Sequence, residues 1–583
     1  MRSLLKYLRD YKKECILGPL FKMLEAIFEL FVPLVVAAIV DKGIPSGDHG
    51  YLVKMGLLLV LLAAVGLSAT LFAQYFAAKA ATGFAAKLRR ALMVHISRLT
   101  YQDLDTLGTS TLITRMTSDL SQVQTGVNLA IRLLLRSPFV VFGAMIMAFT
   151  IDVKAALVFV VTIPLLAAVV FAVMLSTIPL YKKVQAKLDQ VTDTTRENLT
   201  GIRVIRAFRR ENAEKAKFYT ENDALVKIQE KVGRISALMN PGTYVILNGA
   251  VIALIYTGAI RVEAGLLTQG AVLALYNWMS QILVELLKLA NLIITLTKTA
   301  ACGNRIAAVL AEGHPSPEDH TVPQISDEKR GCIRFENVTF TYANAAEPAI
   351  RNISFSAKRG ETIGIIGGTG SGKSTLVNLI PRFYEPDSGT VTVDGLDSKA
   401  FPKEALRNLV GVVPQKAVLF QGTIRDNLKW GKADATEEML HDALKAAQAE
   451  DIISAKALGL DEPLNEGGKN LSGGQRQRLT IARALVRQPE FLILDDSASA
   501  LDMKTDMALR KALRELPQKP TVFIVSQRTS SIRHADRIIV LDEGQQVGCG
   551  THEELLENCP VYAEIHASQM PKGGAQHGET VKA

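Results

Sequence analysis

Six apolar segments, each long enough to cross a hydrocarbon core of about 30 Å, crowd into the N-terminal half of the chain, at 16–40, 51–78, 126–150, 155–180, 238–260 and 270–294. In lipid a segment of that length must satisfy its own backbone hydrogen bonds, so each reads as a helix and together they form an all-α membrane domain. Composition agrees. A chain of 583 residues with 48% hydrophobic residues and a mean hydropathy of +0.19 is too long for one core and too apolar to be wholly soluble. The connections at 79–125 and 181–235 are long, polar and rich in Lys and Arg, whereas those at 41–50, 151–154 and 261–269 are short and carry few basic residues. Basic loops stay inside, which places both termini and both long loops in the cytoplasm of a multi-pass protein.

The net charge of +9 invites a nucleic-acid reading, but the basic residues lie mostly beside the apolar runs. That distribution is topological, and no nucleic-acid partner is expected. Cys15, Cys302, Cys332, Cys549 and Cys559 show no paired or metal-type spacing and read as reduced thiols. Residues 1–14 set Leu4, Leu5, Tyr7 and Leu8 against Arg2, Lys6, Arg9 and Lys13, the pattern of a short amphipathic elbow helix on the membrane surface, not of a cleaved leader. Apolar residues in both long loops recur at three- and four-residue spacing, so the membrane helices are expected to run on into the cytosol. Short segments at 107–116 and 199–208 are the parts of those loops expected to reach a cytosolic domain.

The membrane domain, 15–311, gives way at 312–330 to a polar linker with three prolines. From 331 to 570 strand-like runs alternate with amphipathic helical stretches, as in a largely parallel sheet covered by helices, and 571–583 reads as a disordered polar tail. The fold class is therefore multidomain: a six-helix transmembrane domain followed by an α/β P-loop domain. The P-loop is Gly367, Gly368, Thr369, Gly370, Ser371, Gly372, Lys373, Ser374 and Thr375, which satisfies G-x-x-x-x-G-K-[ST] between the strand run TIGIIG and a helix. Its glycines let backbone N–H groups turn toward phosphate oxygens, Lys373 neutralises the β- and γ-phosphates, and the Ser374 hydroxyl can ligate Mg²⁺, so the cofactors are ATP and Mg²⁺. Asp495, at the end of the apolar run FLIL, is a carboxylate at a strand's C-terminal edge, suited to the magnesium shell. Leu471, Ser472, Gly473, Gly474 and Gln475 open a further helix, where a hydroxyl, bare N–H groups and the positive helix end suit a γ-phosphate. One chain with two phosphate-binding helix starts suggests a nucleotide held between two chains.

These motifs, in this order, resemble the ATP-binding cassette over 331–570, and residues 1–310 resemble the type I exporter membrane domain fused to it. The resemblance implies that two cassettes close on two ATP molecules, each between one chain's phosphate loop and the other's LSGGQ signature. It also implies that Tyr342 stacks on adenine, that Gln415 is the Q-loop glutamine beside the metal, and that Ser499, Ala500, Leu501 and Asp502 form the D-loop. Segments 107–116 and 199–208 would be coupling helices. The expected localisation is a bacterial inner or plasma membrane, in contact with membrane lipid.

Two positions depart from the family. The residue after the magnesium aspartate, normally a glutamate that activates water, is Asp496, and the usual histidine near the γ-phosphate is Gln527. The shorter carboxylate is withdrawn from the water, and glutamine can donate a hydrogen bond but cannot take up a proton or become positively charged. Both changes touch hydrolysis while the LSGGQ remains intact, which resembles the degenerate-site subunit of bacterial heterodimeric exporters and implies an unlike partner half-subunit. A slow homodimeric exporter, an ATP-gated channel or a regulatory membrane protein are the alternatives. In the crossings, Lys22 with Glu25 and Glu285 with Lys288 have the three-residue spacing of helical pairs, whereas Glu29 has no local basic partner. Glu25 and Glu29 are therefore candidates for a substrate cavity. Phe28, Phe31, Tyr276, Trp278 and Met279 either line that cavity or pack. The substrate, whether a drug-like small molecule, a lipid or a peptide, is not encoded in any motif.

Overall fold

The computed structural model describes residues 2–313, 330–343, 345–497 and 500–570. The body of the expected linker, the whole 571–583 tail and Ser499 of the expected D-loop lie outside the described residues. Two units are resolved: residues 1–98 with 109–312, and residues 99–108 with 313–583.

Among the described residues, the first unit contains six helices long and apolar enough to cross a membrane: α1 (Ser3–Ser46), α2 (His49–Ile96), α4 (Thr109–Ile151), α5 (Val153–Thr200), α7 (Glu211–Glu263) and α8 (Gln269–Val309). Short helices interrupt the series, α3 (Tyr101–Leu107) before α4 and α6 (Ile202–Ala207) before α7. Helices α2 and α5 have 48 residues each, roughly 72 Å at 1.5 Å per residue, more than twice the hydrocarbon thickness. The extension read from the three- and four-residue periodicity of the long loops is thus present. The segment expected as an elbow, at the start of α1, is a 3-10 helix over Arg2–Tyr11 that continues without a break into α-helix from Lys12.

The short connections are closed by caps. Asp48 accepts from the amides of Gly50 and Tyr51 at 2.8 and 3.2 Å to open α2. Asp152 accepts from Ala155 N at 2.8 Å to open α5 and also pairs with Arg261 of α7. Thr268 caps α8 and donates to Asp41 at the far end of α1 at 2.6 Å, tying first crossing to last. Without a hydrophobic force between helices in lipid, packing depends on close approach. Helix α2 presents Ala69, Ala73, Ala77, Ala80, Phe84 and Leu88 as one fully buried stripe. A β-carbon on Gly126 of α4 would stand 1.8 Å from the Thr299 hydroxyl of α8, so that crossing admits only glycine.

The second unit is built on a six-stranded sheet in the order β12-β11-β3-β10-β9-β6 and a four-stranded antiparallel sheet in the order β2-β1-β4-β5. The strands are β1 (Ile333–Phe340), β2 (Ile350–Ala357), β3 (Thr362–Gly367), β4 (Ser388–Val393), β5 (Leu396–Asp397) and β6 (Val410–Val413), followed by the two-residue pair β7 (Gly422–Thr423) and β8 (Pro463–Leu464), then β9 (Phe491–Asp495), β10 (Thr521–Val525), β11 (Arg537–Asp542) and β12 (Gln545–Gly550). β3, β6, β9, β10 and β11 run parallel. β9 and β10 are buried at every residue, as continuous apolar runs covered on both faces must be.

Asp394 pins the entry to this unit. Its Oδ1 accepts from Gly331 N at 2.7 Å, and Thr521 donates to the Gly331 carbonyl at 2.7 Å. Burial, with Glu490 adding repulsion, pushes the Asp394 carboxyl up to about 6. A carboxyl held above its ordinary value favours folding most at low pH, and that contribution is lost as pH rises through about 6. The span from the ordinary 3.8 corresponds to at most about 3 kcal/mol. Asp394→Asn keeps the acceptor for Gly331 and cannot ionise, so the variant is expected to outlast the parent in thermal inactivation of nucleotide binding at pH 8 and to match or trail it at pH 5. Parallel curves at the two pH values would contradict this assignment.

The segment expected to reach the second unit, 107–116, is displaced from where the structure puts that contact. Residues 109–116 belong to the first unit, and the preceding 99–108 belong to the second. Helix α3 opens on a capping box between Thr100 and Asp103 and ends at Gly108, whose φ of 73° breaks the helix before α4. Tyr101 stacks on Phe383 with centroids 4.5 Å apart, and Tyr384 donates to Asp105 at 2.7 Å. Burial, together with that carboxylate, raises the Tyr384 hydroxyl well above its usual range. The other expected segment is α6, in the first unit, with Val204 and Phe208 exposed.

Candidate nucleotide site

Parallel register places the site. Val525 of β10 lies opposite both Asp495 of β9 and Ile365 of β3, so the residues that follow these strands emerge together at one edge of the sheet. β3 leads into the loop 367–372, β9 ends on Asp495 and Asp496, β10 continues into Ser526 and Gln527, and β6 leads to Gln415. They enclose a cavity of about 330 Å³ lined by Tyr342, Ala349, Thr369, Gly370, Gly372, Lys373, Ser374, Thr375, Gln415, Asp495, Asp496, Val525, Ser526 and Gln527. Nearly every residue expected at the nucleotide is in this wall.

The loop's geometry requires its glycines. Gly372 has a φ of 90° and caps helix α9 (Lys373–Asn378), and a β-carbon there would meet the Ala349 carbonyl at 2.6 Å. Gly367 passes so near Leu541 that a β-carbon would stand 2.1 Å from its carbonyl oxygen. The Lys373 ammonium donates to the Gly367 carbonyl at 3.0 Å and to that of Gly368, so the side chain folds back over its own loop. Burial lowers Lys373 below its usual value, against the opposing pull of Asp496 and Asp495. An ammonium partly stripped of water and held by neutral backbone carbonyls favours an added negative charge beside it.

Ser374 donates to Asp495 Oδ1 at 2.9 Å. Burial raises the Asp495 carboxyl, the Ser374 bond opposes the shift, and neighbouring Asp496 adds repulsion. A buried carboxylate, a hydroxyl and a second carboxylate next in sequence form an all-oxygen donor set that suits Mg²⁺. Among the described residues no group of three or more His, Cys, Asp or Glu side chains could cage a metal unaided, so an ion here would be held by Ser374 and Asp495 together with phosphate oxygens. Gln415 reaches from the β6 side, its amide 3.5 Å from Asp496 Oδ2. Asp496 has a φ of 44°, in the left-handed region that non-glycine residues seldom adopt, with its amide bonded to Val525 O at 3.0 Å. The strand exit thus aims its carboxylate back across the sheet edge. Tyr342 bonds Thr375 at 3.0 Å and packs edge-on against Phe340 and Tyr384.

The signature residues do not line this cavity. Ser472 and Gln475 form a reciprocal capping box at the start of helix α10 (Gly473–Val486), with Ser472 N donating to Gln475 Oε1 at 2.9 Å and Gln475 N to Ser472 Oγ at 3.3 Å. Leu471 is buried and anchors the turn, and a β-carbon on Gly473 would meet nothing within 4 Å. Gly474 approaches the Ala500 carbonyl, Leu501 is buried, and Asp502 caps helix α11 (Met503–Arg514) by accepting from Thr505. Signature and the described part of the D-loop therefore lie side by side, and neither lines the cavity of this chain's own phosphate loop.

In the membrane unit the two helical pairs expected from spacing both form, Lys22 with Glu25 and Lys288 with Glu285 at 2.8 Å. Glu29 also has a basic partner, which local spacing did not reveal. Arg136 of α4 reaches Glu29 at 2.6 Å and Glu285 at 2.5 Å, and approaches Glu25 at 3.8 Å. Ser137 donates to Glu285 at 3.0 Å. Three carboxylates and three cations from α1, α4 and α8 thus form one balanced cluster, in which the Glu29 side chain keeps 42% of its exposure. Trp278 and Met279 are fully buried, the indole donating to Leu30 O at 3.1 Å, so both are packing residues; Phe31 and Tyr276 are exposed.

The sequence matches the ABC transporter transmembrane region over residues 15–286 and the ABC transporter family over 350–499. It is 35% identical to an uncharacterized ABC transporter ATP-binding protein of Mycobacterium tuberculosis, over 97% of each chain. Identity to an ATP-dependent lipid A-core flippase of Vibrio vulnificus is 28%, over 98% of each. A solved bacterial Atm1-family ABC exporter with ATP bound shares the fold with a TM-score of 0.79 at 22% identity, covering 97% of this chain and 99% of that one. With six apolar helices ahead of an α/β domain whose strand ends gather the phosphate loop, Asp495 and Gln415 at one edge, the chain belongs to the ABC transporters, as a multi-pass membrane protein with the transmembrane region and the ATP-binding domain in one polypeptide.

Proposed function

We propose that this chain is one half of a heterodimeric ATP-driven exporter that moves a hydrophobic or amphipathic compound out of the cytoplasm of a bacterial cell. Its own phosphate loop holds Mg·ATP at a low-turnover site, and its LSGGQ completes the hydrolytic site of an unlike partner. The observation that carries the reading is the meeting of Asp496 and Gln527 in the wall of the same cavity as Lys373 and Ser374. Groups that hold phosphate and metal are all in place, whereas the two that would activate water and stabilise the leaving charge are weakened. The placement of Leu471–Gln475 outside that cavity fits a signature that serves another chain's nucleotide.

Full-length relatives that include a lipid A-core flippase favour export of an amphipathic molecule. The exposed part of Glu29 offers such a molecule's cationic end one carboxylate, at the cost of loosening Arg136. ATP binding would close the cassettes, with hydrolysis at the partner's site resetting them.

The test is ATPase turnover in lipid nanodiscs by this chain alone and by this chain with a second half-transporter that carries Glu and His at the corresponding positions. Turnover is expected only from the pair. Brisk, substrate-stimulated turnover by the chain alone would point to a homodimeric exporter, and ion currents without uphill transport to a channel.

A further inference from the structure

The last helix of the described chain, α13 (Pro560–Gln569), ends against the turn that carries Gln527. That turn runs from the end of β10 into the single-turn helix α12 (Thr529–Ile532). The Gln569 amide bridges it: Nε2 donates to the Gln527 carbonyl at 2.7 Å, while Oε1 accepts from Thr529 N at 2.8 Å and from Thr529 Oγ1 at 3.1 Å. With its proton given to Gln569, the Thr529 hydroxyl accepts from His566 Nδ1, 3.1 Å away and one helical turn back. On the other side Arg510 of α11 donates to the carbonyls of Ser530 and Ser531 and pairs with Asp506. The backbone from 527 to 531 is therefore clasped between the helix that follows the D-loop and the C-terminal helix.

Gln569 is not what docks its helix. Tyr562 is fully buried and bonds His552 at 2.7 Å, Cys559 is buried, and Val561 and Ile565 pack on the core of the cassette. The far end of an already anchored helix thus places one amide fork on the peptide of a residue in the nucleotide cavity. A glutamine supplies both a donor and an acceptor, which is what a carbonyl at 527 and an N–H at 529 require.

We propose that Gln569 is a positioning residue: its amide sets the backbone at Gln527 and so fixes where the 527 side chain stands relative to the γ-phosphate. The inference rests on the reading of Gln527 as the residue beside that phosphate. Displacement of a group at the reacting phosphate by about 1 Å is enough to slow a chemical step by one to two orders of magnitude, and Gln527 stands on the turn before α12, where Gln569 holds the peptide of residue 527 itself while Arg510 holds the turn further on, at Ser530 and Ser531.

The test uses the full chain with its partner subunit in nanodiscs, in the Asp496→Glu, Gln527→His background and in the parent. Gln569→Ala is expected to lower kcat of this site about tenfold in that background, leaving KM for ATP unchanged, and to speed hydrogen exchange at the Thr529 amide by at least tenfold. Gln569→Glu keeps the acceptor for Thr529 and loses the donor to Gln527, so it should protect the Thr529 amide while restoring little of kcat. An unchanged kcat in Gln569→Ala overturns the proposal. So do equal losses of kcat and thermal stability in both variants, the mark of an undocked helix. If the Asp496→Glu, Gln527→His pair itself gains no turnover, it is the hydrolysis-site reading that fails. Gln569 is then judged by exchange alone, and unchanged protection of Thr529 in Gln569→Ala overturns its role.

Discussion

Asp496→Glu combined with Gln527→His is expected to raise ATP turnover at this chain's own site by about 100-fold, with little change in ATP affinity. The binding groups are already arranged: Lys373 lies on the loop carbonyls, Ser374 bonds Asp495, and Tyr342 is held by Thr375. The backbone at 496 turns its carboxylate across the sheet edge whichever acid stands there, so an added methylene extends reach toward the attacking water without moving the ion site. Histidine at 527 restores a group able to carry positive charge beside the γ-phosphate. The effect is read as phosphate release from the pair after the partner's own water-activating glutamate is changed to glutamine, which silences the other site. Turnover that stays at the parental level would show that hydrolysis here is limited by something other than these two side chains.

Arg136→Leu is expected to destabilise the membrane domain by about 3–5 kcal/mol, enough to reduce the yield of folded protein or its survival in mild detergent. The guanidinium is buried, and without it the fully buried Glu285 keeps only Lys288 and Ser137, while Glu29 loses the basic partner it has in the cluster. Much of the cost is that of an uncompensated carboxylate in a medium of low polarity, so Glu285→Gln introduced with Arg136→Leu should recover a large part of the loss. The pair forms a double-mutant cycle, and thermal inactivation measured on the four proteins gives the coupling directly. Additive losses would mean that the cluster does not act as a unit.

Residues whose roles depend on local backbone geometry were legible. The six crossings follow from runs of apolar side chains, and the P-loop follows from glycines that a turn of this shape requires. The parallel sheet then brought Asp495, Gln415, Asp496 and Gln527 to the loop, as a strand–loop–helix reading implies. What the sequence hid was pairing across distance. Glu29 looked partnerless because Arg136 lies 107 residues away, and only the relative rotation of α1 and α4 brings them together. The contact made by 99–108 was read a few residues late, because helical patterning continues through Gly108 whereas the chain breaks at its positive φ. Gln569 gave no signal: it stands at the end of an ordinary short helix, and its importance depends on which peptide it touches.

The ten residues 99–108 lie inside the membrane domain's stretch of sequence and yet are part of the cassette's body. The genetic boundary and the physical one therefore do not coincide, and the cassette is not a contiguous module. A recombination event that exchanged cassettes between related transporters at the 312–330 linker would leave Tyr101 and Asp105 behind and bring in foreign residues at 383 and 384. The stacked ring and the Tyr384–Asp105 bond couple these four positions physically, so a cassette exchanged at that boundary is expected to fit only where the residues at 101 and 105 match those at 383 and 384.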